Sequence, residues 1–281
     1  MGQEITGAGT NPRGACGDAY PQGGMPVDLV RIADMWEENQ EYLKQHLGQS
    51  RYAGYGAKWV LMAHAPYPKF NHTSKVRVHP DEVASLVAES RQFFRLHGLP
   101  GCCIMTTPAT EPADLTGLLY RMGFMAETSP VMIFRGQHDP PTAPGITVQT
   151  ARPQQIDLVF DLIRAVFFPE VTEESARWLR RGMEISVEIG AINYVAYRGR
   201  QPVGVGSLFV RDGMGGIYNM GTLPHFRGCG VATSVMAACL ADARRLGCAE
   251  VGLTPTPMGR PLYERLGFEE VYHERYFVER F

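Results

Sequence analysis

The residues best suited to chemistry fall in one stretch, Met220-Gly221-Thr222-Leu223-Pro224-His225-Phe226-Arg227-Gly228-Cys229-Gly230-Val231-Ala232-Thr233. Glycines at 228 and 230 let the backbone turn sharply without a Cβ clash. Ahead of them, Gly216-Ile217-Tyr218-Asn219 reads as the front of a strand; behind them, Val231, Val235, Met236 and Leu240 recur at helical spacing. A strand, a tight turn and a helix in that order point successive N–H groups outward, and the helix adds the positive end of its dipole. Arg227 puts a fixed cation at the rim. Together these residues form a cradle for a pyrophosphate, with Cys229 inside the turn as a small filler.

One rival reading uses the same residues. Gly228-Cys229-Gly230-Val231-Ala232-Thr233 nearly spells the dinucleotide fingerprint G-x-G-x-x-G. Thr233 stands where the third glycine belongs, and Glu250 begins its strand instead of ending it, so the acid that would meet a ribose is misplaced.

Thr222-x-Pro224 followed by Arg227-x-x-Gly230-x-Ala232 resembles the acyl-CoA signature of the GNAT N-acyltransferase superfamily. Downstream, Ala249 to Leu253 reads as a strand, and Leu262-Tyr263-Glu264-Arg265-Leu266-Gly267-Phe268 is close to that family's terminal L-Y-E-x-L-G-F. The resemblance covers 146–281 and implies an acetyl-CoA-dependent N-acetyltransferase that moves an acyl group directly from CoA to an amine of a small molecule or peptide. It implies that Gly228, Cys229, Gly230, Val231, Ala232 and Thr233 hold the pyrophosphate with Arg227, that Met220, Gly221 and Thr222 pair with the pantetheine arm, and that Tyr263 protonates the departing thiolate. The family often has Asn seven residues before that tyrosine; Thr256 stands there here, and its hydroxyl replaces part of the hydrogen bonding.

The base is the missing part. Tyr218 and Asn219 occupy the strand positions where an acid would be convenient, which leaves Glu174, His225 or a water chain. No metal is expected, because His64, His72 and His79 match no ligand spacing. A non-catalytic acyl-CoA sensor or scaffold is the alternative from a different class. Retention of Tyr263 beside an intact cradle speaks against it.

The elements that position these residues divide the chain of 281 residues. Residues 1–25 are Gly-, Pro- and polar-rich and read as a flexible tail. A helix follows from Val30 towards Leu47, then a strand at 58–63, a short strand or loop at 71–78, and a helix entered at Pro80-Asp81-Glu82. A strand at 102–105, a helix at 111–122 and a strand at 124–134 complete the first unit. Gln137 to Gly145, with three prolines, is the linker. Beyond it come a strand at Ile146, a helix bearing Ile156, Val159, Phe160 and Ile163, a second helix from Thr172, and a hairpin of 192–197 with 203–210. Phe167, Phe168, Glu170 and Glu174 are candidate acceptor contacts.

The order Leu118-Leu119-Tyr120-Arg121-Met122-Gly123-Phe124 echoes Leu262 to Phe268. We therefore read 26–136 as a degenerate GNAT-like unit in tandem with the complete one, an α/β protein of mixed sheets. Val78-His79-Pro80-Asp81-Glu82 replaces its cradle and Leu119 replaces its tyrosine, so its expected role is to shape the acceptor pocket.

Composition limits the partners. A formal charge of -2 gives no general affinity for nucleic acid or anionic membrane. Six cysteines without a C-x-x-C pair read as buried free thiols in a reducing compartment. No apolar stretch approaches a membrane span. The expectation is a cytoplasmic protein, possible as a homodimer by family habit, whose partners are acyl-CoA and an amine.

Overall fold

A computed structural model describes residues 27–53, 56–62 and 70–281. The expected tail, Cys16 and His64 lie outside them. The chain runs α1 (Val27–Leu47), β1 (Gln49–Tyr52), β2 (Lys58–Leu61), β3 (His72–Ser74), α2 (Val83–Leu96), β4 (Gly101–Thr106), α3 (Leu115–Arg121) and β5 (Met125–Phe134). It continues with β6 (Ile146–Thr150), α4 (Ile156–Phe167), α5 (Glu173–Glu188), β7 (Ile192–Arg198), β8 (Gln201–Arg211), β9 (Met214–Thr222), α6 (Val231–Arg245), β10 (Glu250–Leu253), α7 (Arg260–Arg265) and β11 (Phe268–Arg280). The helix expected from Glu111 starts later, at Leu115, because backbone bonds tie Glu111 to Val76 and Val78.

The strands form one mixed sheet in the order β1-β2-β3-β4-β11-β5-β10-β9-β8-β7-β6. The 137–145 segment separates β5 from β6 in sequence, yet it divides no sheet. β11 enters between β4 and β5, and β5 enters between β11 and β10, so each half of the chain lends its last strand to the other. Their antiparallel ladder pairs Ser129 with Glu274 and Pro130 with His273. Around that pair the order β1 to β4 then β11 repeats as β7 to β10 then β5. The sequence echo falls on matching places, where α3 leads into β5 and α7 into β11.

Alternation along the strands builds two faces. Met132 and Phe134 of β5 pack with α6 and α7, whereas Val131 and Ile133 meet α1. α2 and α3 cover the same face as α6 over the N-terminal strands; α4 and α5 share the opposite face with α1. Gly204 and Gly206 of β8 let α6 approach closely: a Cβ at either would strike Val231 or Val235.

α1 buries polar as well as apolar residues. Ile32, Ala33 and Trp36 join the core, and beside them Glu37, Asn39, Gln40 and Glu41 are buried too. Each carboxylate has partners, as buried charge requires. Glu274 accepts from Trp36 Nε1 at 2.9 Å, Gln40 Nε2 at 2.5 Å and the Tyr276 hydroxyl at 3.0 Å. Glu37 accepts from the Thr107 hydroxyl and from Arg77. Glu41 lies 3.4 Å from His72 Nε2 and 3.6 Å from Lys44 Nζ. Burial pushes the Glu274 and Glu37 carboxyls up. At Glu41 burial pulls the same way, but Lys44 and His72 outweigh it and bring the carboxyl down to about 2.

The thiols partly depart from expectation. Cys102, Cys103 and Cys239 are buried, but Cys248 is half-buried and Cys229 exposed. Among the described residues no helix is long and apolar enough to cross a membrane, and no three His, Cys, Asp or Glu side chains gather as metal ligands.

Candidate functional site

The site is made where two parallel strands part. β9 and β10 are paired from Met214↔Glu250 to Gly216↔Gly252 and no further. On its other edge β10 stays paired with β5, Gly252 with Ile133 and Leu253 with Met132. β9 meanwhile bulges: Tyr218 opposes Ser207 and Gly221 opposes Val205, so two residues on β9 face Gly206 alone. Asn219 sits in the bulge at φ 53°, a left-handed conformation that Asn tolerates better than most residues. Its side chain reaches Ser207 Oγ at 3.3 Å, which in turn bonds Asn193. From Ile217 to Thr222 one edge of β9 therefore faces an open cleft.

A short 3-10 helix, Pro224–Phe226, and the turn after it carry the chain from that edge to the start of α6. Gly230 stands at the helix N-cap with φ 75°, so no side chain caps the helix. The first intrahelical bond is from Ser234 N to Gly230 O, at 3.0 Å. The N–H groups of Val231, Ala232 and Thr233 precede it and have no partner within the helix. A Cβ on Gly230 would lie 2.4 Å from Ala143 Cβ, because residues 137–145 run along α6. That segment is held by Ala143 N to Ser234 Oγ at 2.9 Å and by the two-pronged Arg244–Asp139 pair at 2.7 and 2.8 Å.

Cleft and helix N-terminus open into one cavity of about 950 Å³. Met220, Gly221, Thr222, Arg227, Gly228, Gly230, Val231, Ala232, Thr233, Thr256 and Tyr263 all line it. Cys229, between the left-handed Gly228 and Gly230, is not among the lining residues: its side chain is exposed and its N–H bonds Phe226 O at 3.4 Å.

Two polar atoms in the cavity wall bear on ligand binding. Thr222 Oγ1 is buried with no hydrogen-bond partner, a cost that a bound polar group would relieve. Thr256 Oγ1 already accepts from Gly259 N at 3.2 Å, which leaves its hydrogen and one further lone pair for a ligand.

Tyr263, on α7, is buried against Phe268 and within the core beneath α6. Burial first, and the neighbouring Cys239 second, push its phenol up to about 12. It therefore stays protonated at any ordinary pH and is a hydrogen-bond donor. An ordinary thiol titrates near ~8.5, so complete proton transfer from this phenol to a thiolate is uphill.

Phe167 and Phe168, at the end of α4, line the cavity from the other side. A Cβ on Gly221 would lie 3.0 Å from both the Phe167 ring and Val166, so α4 rests directly on the β9 backbone. Glu170, Glu174 and His225 do not line the cavity and are exposed. Tyr218 does line it, and its hydroxyl donates to Asn39 Oδ1 at 2.7 Å. The described lining residues all come from 166–265, so the first half of the chain shapes the cavity only from behind. Arg265 is a lining residue that the sequence reading passed over, although it is the fourth residue of the Leu262-Tyr263-Glu264-Arg265 run. Asn39 gave no local signal at all.

Residues 190–270 match the family model described as "Acetyltransferase (GNAT) domain". A GCN5-related N-acetyltransferase from Kribbella flavida superposes with a TM-score of 0.67 at 17% identity, over 91% of this chain and 96% of that one. A tandem GNAT protein from the clavulanic acid biosynthesis pathway gives 0.61 at 18% identity, over 82% and 81%. A GCN5-related N-acetyltransferase from Sphaerobacter thermophilus gives 0.56 at 18%, over 91% and 92%. At these identities the likeness concerns the fold. No curated protein matches the sequence.

Proposed function

We propose that the chain is a GNAT acetyltransferase that transfers an acetyl group from acetyl-CoA directly to an amine, a reading supported by the match of residues 190–270 to that family's model. The observation that carries this reading is the meeting, in one cavity, of the uncapped α6 N-terminus, the open β9 edge and the Tyr263 side chain. The N–H groups of Val231, Ala232 and Thr233 and the Arg227 guanidinium hold the pyrophosphate, whose charge the helix dipole favours. The backbone of Met220, Gly221 and Thr222 pairs with the pantetheine amides as another strand would. The amine nitrogen attacks the thioester carbon, the C–S bond breaks, and the Tyr263 hydroxyl donates a hydrogen bond to the departing sulfur.

Isothermal titration with acetyl-CoA tests the cradle, and thiol release in the presence of an amine tests transfer. One site per chain, lost in Gly230→Asp, together with amine-dependent thiol release, is the expected outcome. Binding without release would make the protein an acyl-CoA sensor. Absence of acetyl-CoA binding would overturn the reading altogether and make NADH the next ligand to try.

A further inference from the structure

The cavity has two chemically different ends. Its charged lining residues are Arg227 and Arg265, and Arg227 belongs to the cradle. The end beside β9 is walled by Val166, Phe167, Phe168 and Tyr218, and among the described lining residues there is no carboxylate anywhere. Phe167 and Phe168 leave 38% and 39% of their surface open, whereas Val159, Phe160, Leu162 and Ile163 of the same helix are buried. Their rings tilt at 50° with centroids 6.3 Å apart. An apolar pair presented this way at a cavity wall marks a place where a ligand, not the core, covers the rings.

Tyr218 adds a third ring that is fixed in place. Trp36 lies parallel to it, offset, at 6.1 Å. Asn39 takes its hydroxyl hydrogen and spends its own amide on Phe209 O at 3.0 Å and Met214 O at 2.9 Å. The Tyr218 hydroxyl is thus committed, and burial pushes its phenol far above the ordinary range, so it is no base. What this residue offers a ligand is the surface of its ring.

An aliphatic amine suits such a wall badly. Like lysine, it has a pKa near ~10.4 and at neutral pH is unprotonated in roughly one molecule in two thousand. It needs a carboxylate, both to offset the cost of leaving water and to take its proton. An amine attached to an aromatic ring is far less basic. It arrives uncharged with its lone pair free, and its ring packs against phenylalanine.

We propose that the acceptor is a flat, weakly basic aromatic amine, stacked among Phe167, Phe168 and Tyr218 with its nitrogen beside the thioester carbon, at the end of the pantetheine arm. The proposal rests on the acyltransferase reading above. The reaction balances without a further reactant. The nitrogen lone pair forms the C–N bond, and the C–S pair leaves with sulfur. The proton shed by the now strongly acidic nitrogen passes to water or to the thiolate. The products are an N-aryl amide and CoA.

The test compares p-toluidine with benzylamine, isomers of the same size that differ in basicity, and adds spermidine. Thiol release is followed with the full chain at saturating acetyl-CoA. The expected kcat/KM for p-toluidine exceeds that for benzylamine by at least about tenfold, with spermidine inert. Rings also attract ammonium ions; a preference for benzylamine or spermidine would show that they do so here and would overturn the proposal. Turnover of none of the three, with acetyl-CoA bound in the titration, would overturn it as well while leaving the cradle intact. Loss of acetyl-CoA binding itself would bring down the underlying reading instead. Phe168→Ala is expected to raise the p-toluidine KM about fivefold or more with the acetyl-CoA Kd within about twofold. Equal loss of both would assign that ring to the CoA wall.

Discussion

The Tyr218 hydroxyl donates to Asn39 Oδ1 at 2.7 Å across a sequence separation of 179 residues. One residue is on the strand that opens the cavity; the other is on α1, in the half of the chain that contributes none of the described cavity lining. Asn39 closes three hydrogen bonds there, all buried or nearly so. Asn39→Ala removes all three of these bonds, and about 2–4 kcal/mol of stability should be lost, read from urea unfolding. The same variant frees the Tyr218 ring, so the acceptor KM should rise more than the acetyl-CoA Kd. Equal changes in both would mean that Asn39 supports the sheet alone.

Tyr263→Phe removes only a hydroxyl from a ring that packs on Phe268. Turnover should fall by about 10²-fold, the lower range for a positioned proton donor, with the acetyl-CoA Kd unchanged. Because burial holds the phenol near 12, the wild-type rate should show no titration of this group below about pH 11. An alkaline limb near pH 9 that vanished in the variant would contradict that assignment.

Gly230→Ala is a milder probe of the cradle than a charge. The position has φ 75°, and a Cβ would sit 2.4 Å from Ala143 Cβ. Strain of about 1–2 kcal/mol is expected from the backbone alone. Displacing residues 137–145 adds to it, and acetyl-CoA affinity should fall at least about tenfold in titration. Much of this part of the site was legible beforehand. Gly228, Gly230, Arg227 and Tyr263 are neighbours in short, local motifs, and a turn and a helix start are decided by residues close in sequence.

The exchange of β5 and β11 was not legible, for the opposite physical reason. Either strand would read the same whichever sheet it joined, since alternation fixes its faces but not its neighbours. The sequence led us to expect a second unit independent enough to serve only as a wall of the pocket. With β5 between β10 and β11, a chain lacking 1–140 keeps the cradle residues but leaves one edge of β10 and both edges of β11 unpaired. Such a truncation should be insoluble or oligomeric by size-exclusion chromatography. A monomeric fragment that still binds acetyl-CoA would show that the ladder around β5 is dispensable.

Glu41 lies on the helical face of α1 that also buries Ala33, Glu37 and Gln40, and its buried position shows in pH dependence. Burial raises its carboxyl, but Lys44 and His72 prevail and hold it at about 2 in the folded chain. In the unfolded chain it returns to about 4.3. A carboxylate depressed in this way stabilises the fold at pH values above the unfolded pKa. That stability drains away as the pH falls from about 4.3 towards 2, at a cost of the order of 3 kcal/mol if the whole shift is expressed. Glu37 and Glu274 act in the other sense, since burial raises them: their protonated forms favour the fold, and their contribution weakens as the pH climbs above the unfolded value. Glu41→Gln should therefore flatten the acid limb of a thermal-unfolding series between pH 4.3 and 2, while Tm at neutral pH falls because Lys44 and His72 lose their counterion. An unchanged acid limb would place the acid sensitivity of the fold in other carboxylates.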